Sequence, residues 1–312
     1  MEVNIIFMGT PEFAVPSLAM LSASDNNLVG IVTQPDRPKG RGKHLHAPPV
    51  KLLALQHGLP LVQPEKIKEE NFIQWVKTIN PDLMVVVAFG QILPPKLLRI
   101  PPYGCINLHA SLLPNYRGAA PINWALIYGE TRTGVTTILM NEWMDAGDIL
   151  LQRETDIAPE DDALTLSHHL SILGAKLLFE TISQLKRGML HPLPQDHSKA
   201  SYAPLLKKED GHIDWKKEAK IIHHQIRGTF PWPGGFTTWE NKFLKILKSK
   251  VIDEETKEQP GTVSQVSLEG IKVATGKGYL VLTELQLQDR KKMSAAEFIR
   301  GHHLEKGMKL GY

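Results

Sequence analysis

The sequence predicts an α/β protein of two domains, with a mostly parallel sheet in the first and a small β-barrel or sandwich in the second. Up to about residue 88, short β-branched runs alternate with longer amphipathic segments, which is the pattern of βα units in a parallel sheet. From residue 207 onward, short strand-like runs follow one another between Gly and Pro turns, as in small β-barrels. The 312 residues exceed one typical domain and can bury a sizeable core.

In the first domain, strands and helices alternate along the chain. We predict strands at residues 3–7, 28–33 and 83–88, and helices at 14–21, 50–57 and 72–79. The run at 83–88 is continuously apolar and therefore predicts a buried parallel strand. Gly9 follows the first strand as in a nucleotide-binding turn, but the GxGxxG pattern is absent, which argues against NAD binding.

A helical pattern over residues 164–187 closes the first domain, which we place at 1–188. Residues 189–206 mix Pro, Ser and His without apolar periodicity and predict a surface linker. The second domain, 207–312, carries 19 Lys and Arg against 14 Asp and Glu, whereas residues 1–206 carry 17 against 19. The basic excess of the chain therefore lies in the second domain. This domain begins with an amphipathic segment that runs to residue 227, and its strand-like runs lie at 243–251, 262–266, 271–275 and 279–285.

The composition indicates the compartment and excludes some classes of protein. Cys105 is the one cysteine, so no disulfide can form within the chain, and a reducing cytoplasm is the natural compartment. The start of the sequence lacks a basic region before an apolar stretch, and the longest apolar run, 83–89, is too short to span a bilayer. Adjacent histidine pairs such as His223 and His224 diverge on a helix and do not make a metal-binding face. We expect a cytoplasmic monomer that binds neither membrane nor metal.

The densest chemistry lies in the run NLHASLLPNYRGAAPINWA, residues 107–125. A strand-like segment leads into it, and Pro114 and Gly118 stop regular strand pairing. Asn107 and His109 are two residues apart on this strand and therefore point to the same face. Because ligands of open α/β sheets bind at the carboxyl ends of the strands, we expect both side chains in one pocket. A buried and mutually satisfied polar pair is the alternative for an Asn-X-His taken alone.

An acidic loop, NEWMDAGDIL, follows a strand-like segment at residues 133–140 and contains Glu142, Asp145 and Asp148. A carboxylate against one imidazole nitrogen fixes the tautomer and orientation of the ring and favours the imidazolium, whose other nitrogen can donate to a developing negative charge. The amide of an asparagine adds a neutral donor to that charge. Spacing alone leaves Asp145 and Asp148 as equally good partners for His109.

Three stretches resemble the bacterial methionyl-tRNA formyltransferases: the opening IIFMGTPEFAVPSL, the run NLHASLLPNYRGAAPINWA and the MDAGDI loop. The resemblance extends from end to end of the chain. It implies a Rossmann-like formyltransferase domain followed by an OB-like barrel that binds tRNA. By position in the motifs it implies a catalytic set of Asn107, His109 and Asp145, and it thereby selects Asp145 over Asp148.

The resemblance also implies a one-carbon donor, 10-formyltetrahydrofolate. The SLLP segment would lie along this folate, and the AFGQILP segment would help to form the pocket for its pterin ring. The folate-binding residues implied in this way are Ser111, Leu112, Leu113, Pro114, Phe89 and Gly90.

The segment QPDRPKGRGKHLHAPPVK, residues 34–51, is basic and rich in Pro and Gly. A solvated surface loop is the plain interpretation of such a charge run. Its position after a strand of the sheet would also let it arch over the pocket of His109, as a basic lid for a phosphate-rich substrate. The resemblance agrees with the second interpretation, because in that family this loop engages the acceptor stem of the initiator tRNA. The candidate tRNA-binding residues are Arg37, Lys39, Arg41 and Lys43.

The residues and the resemblance together predict transfer of a formyl group from 10-formyltetrahydrofolate to the α-amino group of initiator methionyl-tRNA, a step of translation initiation. The amine would attack directly, while Asn107 and protonated His109 donate to the oxyanion and Asp145 orients the imidazolium. Three alternatives stay open. They are a sugar-nucleotide formyltransferase that shares the central motif, a glycinamide ribonucleotide formyltransferase that would lack the second domain, and a non-catalytic RNA-binding protein.

Overall fold

A computed structural model describes residues 2–39 and 44–311. The described chain forms two units, and neither is a continuous stretch of sequence. Unit 1 combines the described residues up to 121 with residues 132–156 and 167–203. Unit 2 combines residues 122–131 and 157–166 with the described residues from 204 onward. The domain limits predicted at 188 and 206 stay predictions.

In the described part of the chain, unit 1 contains nine strands, which in its first part are interspersed with helices, as the sequence pattern predicts. They are β1 (Asn4–Gly9), β2 (Asn27–Val32), β3 (Arg37–Lys39), β4 (His44–His46), β5 (Leu61–Val62), β6 (Leu83–Val87), β7 (Cys105–His109), β8 (Arg132–Leu139) and β9 (Asp148–Asp156). Seven of these strands form one sheet in the order β5-β2-β1-β6-β7-β8-β9. The first five in that order are parallel, β8 pairs with β7 in antiparallel orientation, and β9 pairs with β8 in antiparallel orientation. The predicted mostly parallel sheet is therefore confirmed, and β3 and β4 pair separately as a hairpin.

The helices of the first two thirds of the chain are α1 (Val15–Ser22), α2 (Pro49–Gln56), α3 (Glu70–Ile79), α4 (Pro95–Leu98), α5 (Pro121–Ile127) and α6 (Ala163–Lys186). Apolar side chains one turn apart explain how α3 packs: Phe72, Ile73 and Val76 are buried in one core cluster with Met84 and Val86 of β6. Burying each such side chain contributes on the order of 1.5–3 kcal/mol. Within the described ranges, no helix has the length and hydropathy that crossing a bilayer requires.

Unit 2 is built around antiparallel strands. Its elements are α7 (Ala219–Thr229), β10 (Gly235–Trp239), β11 (Lys242–Ile252), β12 (Val263–Ser267), β13 (Gly270–Ala274), β14 (Tyr279–Leu287), β15 (Met293–Ser294) and α8 (Ala295–Gly301). The strands run in the order β10-β11-β14-β13-β12, and β15 pairs with β14. The predicted strand-rich second part is confirmed. The sequence pattern missed β10, which begins within the PWPGGF motif, and of the amphipathic segment predicted from residue 207 only the part from residue 219 belongs to α7.

Residues 189–203 pack into unit 1. Leu193 pairs with Ile149 of β9, and Tyr202 pairs with Arg117. Gln195 is only 6% exposed. This part of the predicted linker contributes buried contacts to the same unit as the candidate catalytic set.

Candidate active site

Asn107 lies on β7, which pairs with β6 in parallel, and β6 in turn pairs with β1 in parallel, so the carboxyl ends of the three strands meet at one edge of the sheet. Its side-chain amide donates to the Val86 carbonyl oxygen at 3.2 Å. An amide nitrogen carries two hydrogens, so one donor remains for another acceptor. Its oxygen, Oδ1, is buried and has no hydrogen-bond partner among the described residues. A polar group held in this way is well suited to a ligand.

His109 ends β7 and is 7% exposed. Its Nε2 lies 2.9 Å from the Tyr116 carbonyl oxygen, so Nε2 must carry the proton that it donates. Its Nδ1 lies 3.7 Å from the Asp145 carboxylate, which is an ion-pair distance rather than a hydrogen bond. A second ring proton would sit on Nδ1, on the side of the ring that faces this carboxylate.

Asp145 reaches His109 by an indirect route. Since β8 is antiparallel to β7, Leu139 at its end pairs with Ile106, whereas His109 pairs with Thr136. The loop after β8 thus leaves the sheet away from His109 and folds back. Asp145 has φ +50°, a left-handed conformation that aspartate tolerates better than most residues, and its Oδ2 accepts from the Gly118 amide at 2.8 Å.

The other two carboxylates of the acidic loop have different surroundings. Glu142 forms an exposed ion pair with Arg99 at 2.8 Å. Asp148 begins β9 and pairs with Leu139, at the end of β8 away from His109. The geometry therefore brings Asp145 to the imidazole, while its catalytic role stays a prediction.

The segment Asn115–Gly118 is the scaffold of the site. The Asn115 carbonyl oxygen accepts from the Ser111 hydroxyl at 2.6 Å, and the Tyr116 carbonyl oxygen contacts His109. The Arg117 side chain donates to Gln195, and the Gly118 amide donates to Asp145. Arg117 is 4% exposed and donates to the Gln195 Oε1 from Nε at 3.2 Å and from Nη2 at 2.7 Å. The sequence reasoning did not assign Arg117 or Gln195 any role. A charged side chain within a Pro- and Gly-rich loop was a signal for Arg117, whereas Gln195 stands among unpatterned polar residues.

The residues implied for the folate differ in accessibility. The Ser111 and Leu113 side chains are buried, while Leu112 and Pro114 are half-buried. Thr136 and Gln152 hold this turn, because the Thr136 hydroxyl donates to the Ser111 carbonyl at 2.6 Å and the Gln152 amide donates to the Leu113 carbonyl at 2.8 Å. The accessible side chains of the SLLP segment are therefore those at 112 and 114.

In the neighbouring AFGQILP segment, Phe89 is 2% exposed. Its carbonyl oxygen accepts from the Thr10 hydroxyl at 2.9 Å. Gly90 is exposed and has φ +88°, which a side chain would strain. Phe89 thus acts as a buried anchor of the loop, and Gly90 offers bare backbone.

The candidate tRNA-binding residues lie around the hairpin of β3 and β4. Arg37 forms an exposed ion pair with Glu65 at 3.0 Å, and Lys39 ends β3. Arg41 and Lys43 lie outside the described residues. The base of the segment is fixed by Asp36, which accepts from Gln63 and Lys51 at 2.8 Å, and these bonds hold the pKa of its carboxyl below the ordinary value.

Two further observations bear on the chemistry. Burial raises the pKa of the Cys105 thiol to about 12, so a nucleophilic thiolate is not available there at neutral pH. Among the residues that the structure describes, no group of three or more His, Cys, Asp or Glu side chains is arranged to hold a metal ion.

Comparison with known proteins identifies the family. Residues 1–182 match the formyl transferase family, and residues 205–303 match the formyl transferase C-terminal domain. The chain is 51% identical over 309 residues to the methionyl-tRNA formyltransferase of Geobacter metallireducens, and the alignment covers 99% of each protein. The chain belongs to the methionyl-tRNA formyltransferase family. The resemblance stated from the sequence is thereby confirmed.

Solved structures share the fold of this member of the methionyl-tRNA formyltransferase family. A methionyl-tRNA formyltransferase from Clostridium thermocellum has a TM-score of 0.56 at 17% identity, with coverage of 80% of this chain and 93% of that chain. HypX from Aquifex aeolicus in complex with tetrahydrofolic acid has a TM-score of 0.64 at 17% identity, with coverage of 100% of this chain and 51% of that chain. The two family matches leave out residues 183–204, the stretch that contains Gln195.

Proposed function

We propose that this protein transfers the formyl group of 10-formyltetrahydrofolate to the α-amino group of methionyl-tRNA, with the initiator tRNA as acceptor. The observation that carries the proposal is the convergence of Asn107, His109 and Asp145 on one sheet edge, in a chain 51% identical to a methionyl-tRNA formyltransferase over nearly its full length. The protein is thus a one-carbon transferase of translation initiation. We place it in the cytoplasm as a monomer.

The proposed reaction is a direct acyl transfer. The free amine attacks the formyl carbon, the new C–N bond forms, and the carbonyl oxygen becomes an oxyanion. The remaining amide hydrogen of Asn107 and the Nδ1 hydrogen of protonated His109 donate to this oxyanion. The sequence predicted the ring nitrogen that faces away from Asp145 as the donor, but that nitrogen, Nε2, is hydrogen-bonded to the Tyr116 carbonyl oxygen, so the proposal uses Nδ1 instead. When the tetrahedral intermediate collapses, the bond to the folate N10 breaks, N10 takes up a proton, and the amine gives one up.

Asp145 has two tasks in this proposal. Its carboxylate, 3.7 Å from Nδ1, stabilises the imidazolium without taking the Nδ1 hydrogen in a hydrogen bond. That hydrogen therefore stays available to the substrate oxygen. The second task is to hold a water molecule that relays the proton released by the amine.

The substrate contacts are assigned within the same proposal. Ser111, Leu112, Leu113 and Pro114 form the wall along the folate, with Leu112 and Pro114 as the accessible side chains. Phe89 and Gly90 belong to the pterin pocket. On the tRNA side, we propose that the basic segment, residues 34–51, contacts the acceptor stem. Residues 1–188 form the catalytic domain, residues 207–312 form the tRNA-binding domain, and residues 189–206 link the two. The tRNA contacts of the basic segment are Arg37, Lys39, Arg41 and Lys43.

The test measures incorporation of labelled formyl from 10-formyltetrahydrofolate into initiator methionyl-tRNA. Elongator methionyl-tRNA and a UDP-4-amino sugar serve as parallel acceptors. Label on the initiator tRNA alone supports both the reaction and the acceptor. Label on the sugar alone would keep the formyl chemistry and overturn the acceptor, while tight RNA binding without any transfer would overturn the enzyme assignment.

A further inference from the structure

Gln195 connects a buried arginine to the loop that carries Asp145. Its Nε2 donates to the Asp145 carbonyl oxygen at 2.9 Å and to the Gly147 carbonyl oxygen at 2.7 Å. Its Oε1 accepts from the Arg117 guanidinium at 2.7 Å and 3.2 Å. All polar positions of this amide are therefore used inside unit 1.

The chemistry of Arg117 fixes which way the Gln195 amide points. A guanidinium is a donor only, so the amide oxygen must face it. The amide nitrogen then faces the two loop carbonyls, which are acceptors only. Arg117 is 4% exposed, and its Nη2 also donates to His197 Nδ1 at 3.0 Å. A flipped amide would turn its NH2 group toward this buried guanidinium and remove the acceptor of two of its hydrogen bonds, which is costly.

The backbone of residues 145–147, which accepts these hydrogen bonds, has an unusual conformation. Asp145 adopts φ +50°, and Gly147 has no room for a side chain because a Cβ would overlap the Leu139 carbonyl oxygen. Gln195 holds the backbone on both sides of Ala146, while the Gly118 amide holds the Asp145 side chain. Gly118 directly follows Arg117, so one segment orients both the backbone and the carboxylate of this loop.

We propose that Gln195 is a positioning residue for formyl transfer, and that it keeps the Asp145 carboxylate facing His109 through its two hydrogen bonds to the loop backbone. This inference rests on the proposed function. Arg117 orients the Gln195 amide and thereby also helps to position Asp145. A misplacement of about 1 Å in a reacting group can reduce a rate on the order of a hundredfold, so the loss of this restraint is expected to affect turnover.

Gln195→Glu separates the bonds to the loop from the bond to Arg117, because it keeps an acceptor for the guanidinium but cannot donate to the Asp145 and Gly147 carbonyls. Gln195→Met has a similar length and adds no charge, but it removes the acceptor for Arg117 together with the two donations to the loop. We expect both variants to lose kcat by about a hundredfold, with the KM for methionyl-tRNA unchanged, because the loop restraint acts on the reacting groups.

Gln225 provides a matched control in unit 2. It is 8% exposed, and its Nε2 donates to the Asp210 and His212 carbonyl oxygens at 2.8 Å each. Gln225→Glu therefore removes the same kind of bonds elsewhere. We expect it to lower the melting temperature while kcat at saturating substrates stays at the wild-type value.

A double-mutant cycle with Asp145→Asn decides whether Gln195 acts through Asp145. If it does, adding Gln195→Glu to Asp145→Asn lowers kcat no further, because both changes remove the same contribution of the Asp145 carboxylate. Wild-type kcat in a folded Gln195→Glu or Gln195→Met, fully additive losses, or loss of the cooperative melting transition in both single variants would each overturn the inference. Absence of formyl transfer by the wild-type protein would instead overturn the proposed function.

Discussion

Asn107 and His109 point into the same region because alternate residues of a strand share a face, but they are held differently. His109 has a partner at each ring nitrogen, whereas the Asn107 side chain donates to the Val86 carbonyl oxygen and its Oδ1 has no hydrogen-bond partner among the described residues. We therefore expect Asn107→Ala to remove an oxyanion donor with little disturbance of the fold. Its kcat for formyl transfer should fall by about a hundred- to a thousandfold, measured at saturating folate and tRNA. Near-normal turnover would contradict the assignment.

Asp145→Asn tests the charge of the loop separately from its shape. The amide oxygen of asparagine can still accept from the Gly118 amide, so the turn is retained, but the imidazolium of His109 loses its counter-charge. We expect kcat to fall by about a hundredfold or more, as for removal of a stabilising charge worth roughly 2.7 kcal/mol. Asp148→Asn, at the start of β9, is the control and should keep its rate. Equal effects of the two changes would reject the special role of Asp145.

These side chains also define what the sequence could predict about the site. The convergence of Asn107 and His109 follows from strand periodicity and from the parallel edge, and both can be read from the chain. The position of Asp145 could not be derived in this way, because β8 is antiparallel and its following loop folds back. Gln195 had no sequence signal, since its role depends on contacts with residues 78 and 50 positions earlier in the chain.

At the scale of elements, α7 depends on a glycine that no side chain can replace easily. A Cβ on Gly228 would lie 2.8 Å from the Asn123 carbonyl oxygen and 2.9 Å from the Ile127 amide nitrogen, both in the backbone of α5. Gly228→Ala should therefore reduce the free energy of unfolding by about 1–3 kcal/mol despite better helix propensity. Gly301→Ala in α8, which meets no atom within 4 Å, should leave the melting temperature unchanged or raise it. Thermal melts of both variants check this.

His223 of α7 makes the free energy of unfolding depend on pH. Burial, followed by the charges of Arg227 and His224, lowers the pKa of His223 from 6.5 to about 4. Between these two values the unfolded chain binds a proton that the folded chain does not, so the free energy of unfolding falls as the pH drops through this window. His223→Gln should reduce the loss of stability between pH 7 and pH 4.5 in denaturant titrations. An unchanged loss would show that His223 does not contribute to it.

The elements differ in how well the sequence predicts them. Strongly patterned segments such as α3 and β6 were predicted, because their apolar residues follow one period and are buried on one side or on both. The strand β10 was not, because a Pro- and Gly-rich turn runs directly into it. Residues 189–203 read as a linker since their contacts with unit 1 are polar and isolated, and such contacts leave no periodic pattern.

At the scale of the whole molecule, the proposed substrate is a polyanion, so salt should affect the tRNA step selectively. Each lost phosphate contact reduces the salt slope of log(kcat/KM) for tRNA by about 1. We expect Arg37→Ala to raise the KM for methionyl-tRNA and to reduce this slope, with the KM for the folate unchanged. Arg132→Ala, another exposed and ion-paired arginine of unit 1, is the control. Equal slopes for the two variants would remove Arg37 from the tRNA contacts.

The contacts of residues 195–203 decide where the chain can be shortened. A fragment that ends at residue 182, with the first family match, would contain the whole candidate catalytic set. It would nevertheless lose Gln195 together with Ser201, whose hydroxyl accepts from the Tyr116 amide at 2.9 Å, and Ala203, whose amide donates to the Arg117 carbonyl at 2.7 Å. Truncation at that natural-looking boundary would therefore yield a piece with every catalytic motif and an unsupported active-site loop.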